Sequence, residues 1–206
     1  GHVGELVREY AASWGFRVLT CDPPRAAREG GDFVPLEEVM RQSDLITFHT
    51  PLDATTRHMA GEAFFRRLKP DATIINSSRG EVVDGDALLH SGHPYVLDVW
   101  EHEPDLDRRL LAEAILATPH IAGYSAQGKA NATAMAVEAL ARRFSLPLEG
   151  WYPAVVPSQP RPIGWDELTA TIGTHYDISA ESDTLKRRPE RFEELRNGYA
   201  YREEYF

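Results

Sequence analysis

The sequence predicts an α/β fold: a Rossmann-type, doubly wound parallel sheet, followed by part of a smaller α+β unit. Three observations carry this. Short apolar runs alternate with segments of helical spacing over roughly the first 140 residues. The links between them are short, as in successive βαβ units. The runs are apolar nearly end to end, as strands covered on both faces are.

The elements follow in order. Val3, Leu6, Val7, Tyr10, Ala11 and Trp14 form one helical stripe, and Gly15 ends it. FRVLTCD is expected to be a strand ending in Asp22, with Asp-Pro-Pro opening a turn. PLEEVMRQS reads as a helix, DLITFHT as a strand, GEAFFRRL as a helix that Pro70 closes, and ATIINSS as a strand. DGDALLHSG is a short helix with Asp84 as its N-cap. YVLDVW is a strand, LDRRLLAEA a helix and AILATP a last strand, before a long helix from about Gln127 to Phe144. The expected division is a dinucleotide-binding domain over 1–146, a proline-rich connection over 147–164 and a partial C-terminal domain over 165–206. In that last part WDELTATIGTHY and RPERFEELRNGY read as helices.

Composition narrows the function. A formal charge of -10 on 206 residues disfavours nucleic acid, whose phosphates it would repel. No apolar run is long enough to cross a bilayer, so no membrane partner is expected. The single cysteine, Cys21, precludes an internal disulfide and fits a reducing, cytoplasmic setting. No metal-ligating set is expected.

The polar residues that stand out fall at strand ends, where ligands of such sheets bind. GHVG matches the last two glycines of G-x-G-x-x-G, with Gly1 and Gly4 in place and a helix following at once. Asp22 lies 18 positions after Gly4, where a carboxylate accepts hydrogen bonds from the ribose hydroxyls of NAD. Alone, Asp22 reads equally well as the start of a turn. NSSRGEVVD places Arg79 past one strand, LDVWEHEPD places Asp98 and Glu103 past the next, and TPHIAGYS places His120 past a third. Moving a hydride from an alcohol carbon needs a base for the hydroxyl proton. Histidine suits that task, a carboxylate beside it fixes its tautomer, and arginine grips a carboxylate with a planar fork. Singly, each of Arg79, Glu103 and His120 reads as a surface or loop residue. The order of the set along one sheet edge gives it force. His49 is expected to be structural or to line the cofactor cleft.

The succession GHVG, Asp22, HTPLDATTRHM, SSRGEVVD, LDVWEHEPD and TPHIAG resembles the D-isomer-specific 2-hydroxyacid dehydrogenases. The segments TPHIAGYSAQGKANAT and THYDISAESDTLKRRPERFEELRNGYAYREEYF are similar to members acting on a phosphorylated hydroxy acid, which carry an extra C-terminal dimerisation domain. The resemblance implies NAD-linked oxidation of 4-phospho-D-erythronate at C2, on the route to pyridoxal phosphate, by a homodimer. It also implies roles. Arg79 would hold the substrate carboxylate, Glu103 would pair with His120 as proton carrier, and Asp98 would hold the nicotinamide carboxamide. His2 and Val3 would lie against the pyrophosphate, Asp22 against the adenosine ribose, Thr50 and Gly123 against the cofactor, and Tyr124 against substrate. On this reading the chain is an internal piece of a longer enzyme, without the first strand, and turns over poorly alone. The link at HSGHPYVLDVW is shorter than the family's. Two other readings stay open: a dehydrogenase for another 2-hydroxyacid such as 3-phosphoglycerate, and a non-catalytic NAD-binding or dimerisation module.

Overall fold

The computed structural model describes residues 1–154 and 164–204, so half of the expected connection over 147–164 lies outside the described residues. Contacts divide the chain into two units. One comprises Gly1–His120 with Asp177–Arg196, the other Ile121–Tyr176 with Asn197–Phe206. Residues 177–196 thus group with the sheet, and the units do not follow the boundaries 1–146 and 165–206.

The first unit runs α1 (His2–Ser13), α2 (Pro23–Glu29), α3 (Leu36–Gln42), β1 (Leu45–Phe48), α4 (Glu62–Phe65), β2 (Thr73–Asn76), α5 (Gly85–Ser91), β3 (Tyr95–Leu97), α6 (Arg108–Glu113) and β4 (Leu116–Ala117). All four strands are parallel, in the order β1-β2-β3-β4. This is the α/β architecture that the sequence predicts. Ile46 pairs with Ile74, Ile75 with Val96 and Leu97 with Ala117. Ile46, Phe48, Ile74, Tyr95 and Leu97 are buried in one core with Phe64, Phe65, Leu88 and Leu111. Asp84 caps α5 by accepting from the Ala87 amide at 2.9 Å, as its position predicts.

Two expectations are corrected. FRVLTCD does not form a strand: Thr20 makes one isolated parallel bridge to Phe33, and the rest of the segment finds no ladder partner among the described residues. Phe16 stays 50% exposed. A β-rich run without a neighbour to bond is not a strand. Asp22 opens no simple turn either. Its carboxylate accepts from the Arg25 amide at 3.0 Å and caps α2, with the two prolines in the first helical turn. The expected helix over the first stripe forms as α1; its Val7, Tyr10, Ala11 and Trp14 are half-buried, while Val3 is 63% exposed.

Beyond β4, this unit is completed by α9 (Ile178–Arg187) and α10 (Phe192–Asn197). α9 packs on the edge strand β4. The Ala117 amide donates to Ser182 Oγ at 3.0 Å, and Lys186 Nζ donates to the Ala114 carbonyl. An edge amide that would otherwise be unpaired is thereby satisfied. Leu185 and Phe192 seal the contact and are almost fully buried.

The second unit holds α7 (Ala126–Phe144) and α8 (Trp165–His175). Ser125 caps α7, its Oγ accepting from the Gly128 amide at 2.8 Å and donating to Glu204 Oε1 at 2.5 Å. Gly123, at φ +114°, makes the turn before it. Lys129 Nζ lies 3.9 Å above the Tyr124 ring, and the Arg202 guanidinium 4.2 Å above that of Tyr176.

Candidate active site

The site is assembled at the carboxyl ends of β2, β3 and β4. β2 ends in Asn76, whose side chain shapes the next turn. Its amide nitrogen donates to the Arg79 carbonyl at 2.8 Å, and its oxygen accepts from the Ser78 hydroxyl, also at 2.8 Å. The turn leaves the Arg79 side chain exposed, with its guanidinium donating to the Ser78 carbonyl at 2.6 Å. Gly80 then meets the turn after β3. A Cβ there would lie 2.1 Å from both the carbonyl carbon and oxygen of Trp100, so only glycine allows the two turns to touch.

Past β3, Asp98 is buried and accepts from the Thr118 hydroxyl at 2.7 Å. Its carbonyl accepts from the His120 amide at 2.8 Å, which ties the ends of β3 and β4 together. Trp100 is buried, and its indole N–H donates to the Thr118 carbonyl at 3.0 Å. Glu103 uses both carboxylate oxygens. Oε1 accepts from the Trp100 amide at 2.9 Å, and Oε2 lies 2.8 Å from His120 Nδ1. The Arg196 guanidinium stands 3.9 Å from that same Oε2. His120 sits at φ +57°, a left-handed backbone that histidine adopts more readily than most residues.

Arg79, Trp100, His102, Glu103 and His120 line one cavity of about 200 Å³. The sequence places Arg79, Glu103 and His120 past the ends of three separate strands, and the fold brings all three to this cavity. A glutamate on Nδ1 fixes the tautomer with hydrogen on Nδ1, leaving Nε2 as an acceptor. A guanidinium at the rim offers a planar fork to a carboxylate. Together they can hold a small acid and take a proton from it.

The cofactor candidates are distributed along the same unit and beyond it. Thr50 follows β1, and its Oγ1 is buried with no hydrogen-bond partner among the described residues, an arrangement that calls for a ligand or water. Burial holds the neighbouring His49 below its ordinary pKa, with the N-terminal ammonium adding to the effect. His2 and Val3 lie exposed in the first turn of α1, and Asp22 lies at the start of α2. Gly123 and Tyr124 belong to the second unit. The orphaned hydroxyl of Thr50 and the buried carboxylate of Asp98, both at strand ends, fit a polar dinucleotide laid along this edge.

Sequence reasoning missed His58, Glu101 and His102. The last lines the cavity at φ +61°, and His58 Nε2 lies 2.6 Å from Glu101 Oε1. Residue type gave a signal, since WEHEP carries two carboxylates beside a histidine, but the partner of Glu101 lies 43 positions away.

Residues 1–122 match the model of the D-isomer specific 2-hydroxyacid dehydrogenase, NAD binding domain. The chain belongs to the D-isomer-specific 2-hydroxyacid dehydrogenase family. The erythronate-4-phosphate dehydrogenase of Bacteroides fragilis is 42% identical over 219 residues, covering 99% of this chain and 61% of that protein. That of Cronobacter sakazakii is 38% identical over 225 residues, covering 100% of this chain and 60% of its own length. The chain thus spans about three fifths of the length of the curated relatives it matches. Among solved structures, D-lactate dehydrogenase from Aquifex aeolicus, complexed with NAD and lactic acid, superposes with a TM-score of 0.59 at 28% identity. That match covers 77% of this chain and 56% of the other. D-lactate dehydrogenase with NAD+ from Lactobacillus jensenii gives 0.60 at 26% identity, covering 77% of this chain and 53% of its own. The cavity with Arg79, Glu103 and His120 lies inside the segment that this dehydrogenase family accounts for.

Proposed function

We propose that this chain carries the dinucleotide-binding and proton-transfer part of an NAD-dependent dehydrogenase that oxidises 4-phospho-D-erythronate at C2 to the 2-oxo acid. The observation that carries the reading is the His120–Glu103 pair sharing a cavity with Arg79 at the carboxyl ends of parallel strands. The whole-chain likeness to erythronate-4-phosphate dehydrogenases supports the substrate. Bound NAD supplies the acceptor for the hydride that leaves C2. Arg79 holds the substrate carboxylate and orients C2. His120 Nε2 takes the hydroxyl proton as the carbonyl forms. Glu103 holds the imidazole by its Nδ1–H and stabilises the positive charge that arrives on it. Asp98 takes the nicotinamide carboxamide, and Thr50 donates its hydroxyl to the dinucleotide. Asp22 accepts from the adenosine ribose hydroxyls, His2 and Val3 lie against the pyrophosphate, and Gly123 lies against the cofactor. Tyr124 touches substrate. The same reading places the enzyme in the cytoplasm, as a homodimer, in pyridoxal 5'-phosphate biosynthesis.

The test measures NADH formation by the natural gene product with 4-phospho-D-erythronate and, separately, with 3-phosphoglycerate. Turnover is expected on the first and not appreciably on the second. His120→Asn lowers kcat by about a thousandfold, within the range of a lost general base. NADH binding, read as quenching of Trp100 fluorescence, persists. Binding of NADH with no turnover on either acid would leave a binding module and overturn the proposal.

A further inference from the structure

We propose that Glu101 is a positioning residue for the Glu103–His120 pair, with His58 as its anchor. The inference rests on the proton-transfer role of His120 and deepens it. Glu101 is two residues from Glu103, and no hydrogen bond or ion pair joins it to His120 among the described residues. Its carboxylate reaches the other way. Oε1 lies 2.6 Å from His58 Nε2, and Oε2 accepts from the Gly85 amide at 2.9 Å. Its side chain is 19% exposed, which is low for a glutamate outside the catalytic pair.

Both anchors are themselves fixed. The His58 amide donates to the Glu81 carbonyl at 2.7 Å, and the Ala60 amide to that of Val82 at 3.2 Å. The Asp84 amide returns to the Ala60 carbonyl at 3.0 Å. Residues 58–60 are therefore bolted to 81–84, the segment that leads directly from Arg79 and Gly80. Asp84 Oδ2 also stands 3.9 Å from His58 Nδ1. Gly85 leaves little slack: a Cβ there would lie 3.2 Å from Glu101 Oε2 and 3.1 Å from Leu110 Cδ2.

The turn 100–103 is thus held on two sides. On one, Gly80 packs its backbone against Trp100. On the other, the Glu101 carboxylate ties the turn to residues 58 and 85. Two fixed supports determine where the turn presents Glu103, and hence the spacing of the Glu103–His120 pair from Arg79. Removing the Glu101 tether leaves the turn held on the Trp100 side, by the Gly80 contact and the indole bond to the Thr118 carbonyl, about which residues 101–103 can pivot. No hydrogen bond joins Glu101 to the Glu103–His120 pair among the described residues, so its loss changes geometry and leaves the chemical groups in place. His58 at φ +50° shows that the loop accepts an uncommon backbone conformation to make this contact.

The primary test is nuclear magnetic resonance on this chain, following the Nδ1 proton of His120 with labelled imidazole. In the wild type, the Glu103 carboxylate shields that proton from exchange. Glu101→Ala is expected to speed its exchange by about tenfold or more, while the amides of Ile74 and Leu97 keep their protection. Glu101→Gln can accept from Gly85 and donate to His58, and is expected to retain the wild-type signal. His58→Ala is expected to shift exchange in the same direction as Glu101→Ala, and the two together to add little. Unchanged exchange in Glu101→Ala overturns the proposal. Should Glu101→Ala not fold, His58→Ala carries the test alone, and an unchanged Nδ1 proton there overturns it equally. In the natural gene product, Glu101→Ala is expected to lower kcat by about ten- to a hundredfold with KM for NAD unaltered. Absence of turnover in the wild type would strike the dehydrogenase reading, whereas the imidazole exchange reports on the tether without substrate, so the two failures are distinguishable.

Discussion

Gly80 stands where the chain has no room for a side chain. Its missing Cβ would fall 2.1 Å from Trp100 backbone atoms and 2.5 Å from the Glu101 nitrogen. Backbone cannot swing aside as a flexible side chain does, so Gly80→Ala must push the turn 100–103 away from Arg79. The expected cost is about 3 kcal/mol, the upper end for an overpacked site. Urea unfolding measures it, and an unchanged midpoint would show that the two turns can separate freely. The glycine was visible in the sequence as part of SSRGEVVD, yet its reason was not, because the neighbour that forbids a side chain lies in the turn after another strand. The same limit applies to the histidines. His120 was legible as a base because it follows a strand and a Thr-Pro break. His58 was not, because its meaning depends on Glu101, to which no local pattern points.

Elements were legible where the local signal and the tertiary partner agree. β1 to β4 are apolar runs ended by polar residues, and each finds a neighbour in register. The run 16–22 carries a similar signal and forms only the isolated Thr20–Phe33 bridge among the described residues. α2 was hidden behind Asp-Pro-Pro, read as a turn although prolines in a first helical turn after an aspartate also start helices. α9 was missed because it is polar on average and carries few apolar residues, and it is held by the distant β4 amide on Ser182. Tyr95 shows the tie between elements in measurable form. It lies on β3, and its hydroxyl donates to the Leu110 carbonyl on α6 at 2.9 Å. Burial pushes its pKa up to about 12, with the carboxylates of Glu113 and Asp107 adding to the rise. The folded state therefore keeps the proton longer than the unfolded chain, whose tyrosine titrates near 10. The stabilisation is complete below about pH 10 and is lost as pH rises through about 12, amounting to about 2 kcal/mol. Tyr95→Phe costs about 1 kcal/mol at neutral pH for the lost bond. Measured by urea unfolding between neutral and alkaline pH, the variant should decline less steeply than the wild type in that window. Parallel curves would mean that the phenol reaches solvent.

At the scale of the whole molecule, charge and ligand oppose each other. The chain carries a formal charge of -10, and the proposed cofactor is an anion. Local donors at the strand ends must therefore act against a repulsive general field. Added salt shortens the reach of that field from about 30 Å at 0.01 M to about 8 Å at 0.15 M. Contacts at hydrogen-bond range are screened much less. The affinity for NADH, followed by quenching of the buried Trp100, is accordingly expected to rise by about threefold over that range of ionic strength. A nucleic-acid-binding protein would show the opposite slope, because its affinity comes from released counterions. A fall in NADH affinity with salt would mean that positive potential at the site, from Arg79 and the amides around it, outweighs the net charge of the chain at the distance where the dinucleotide is captured.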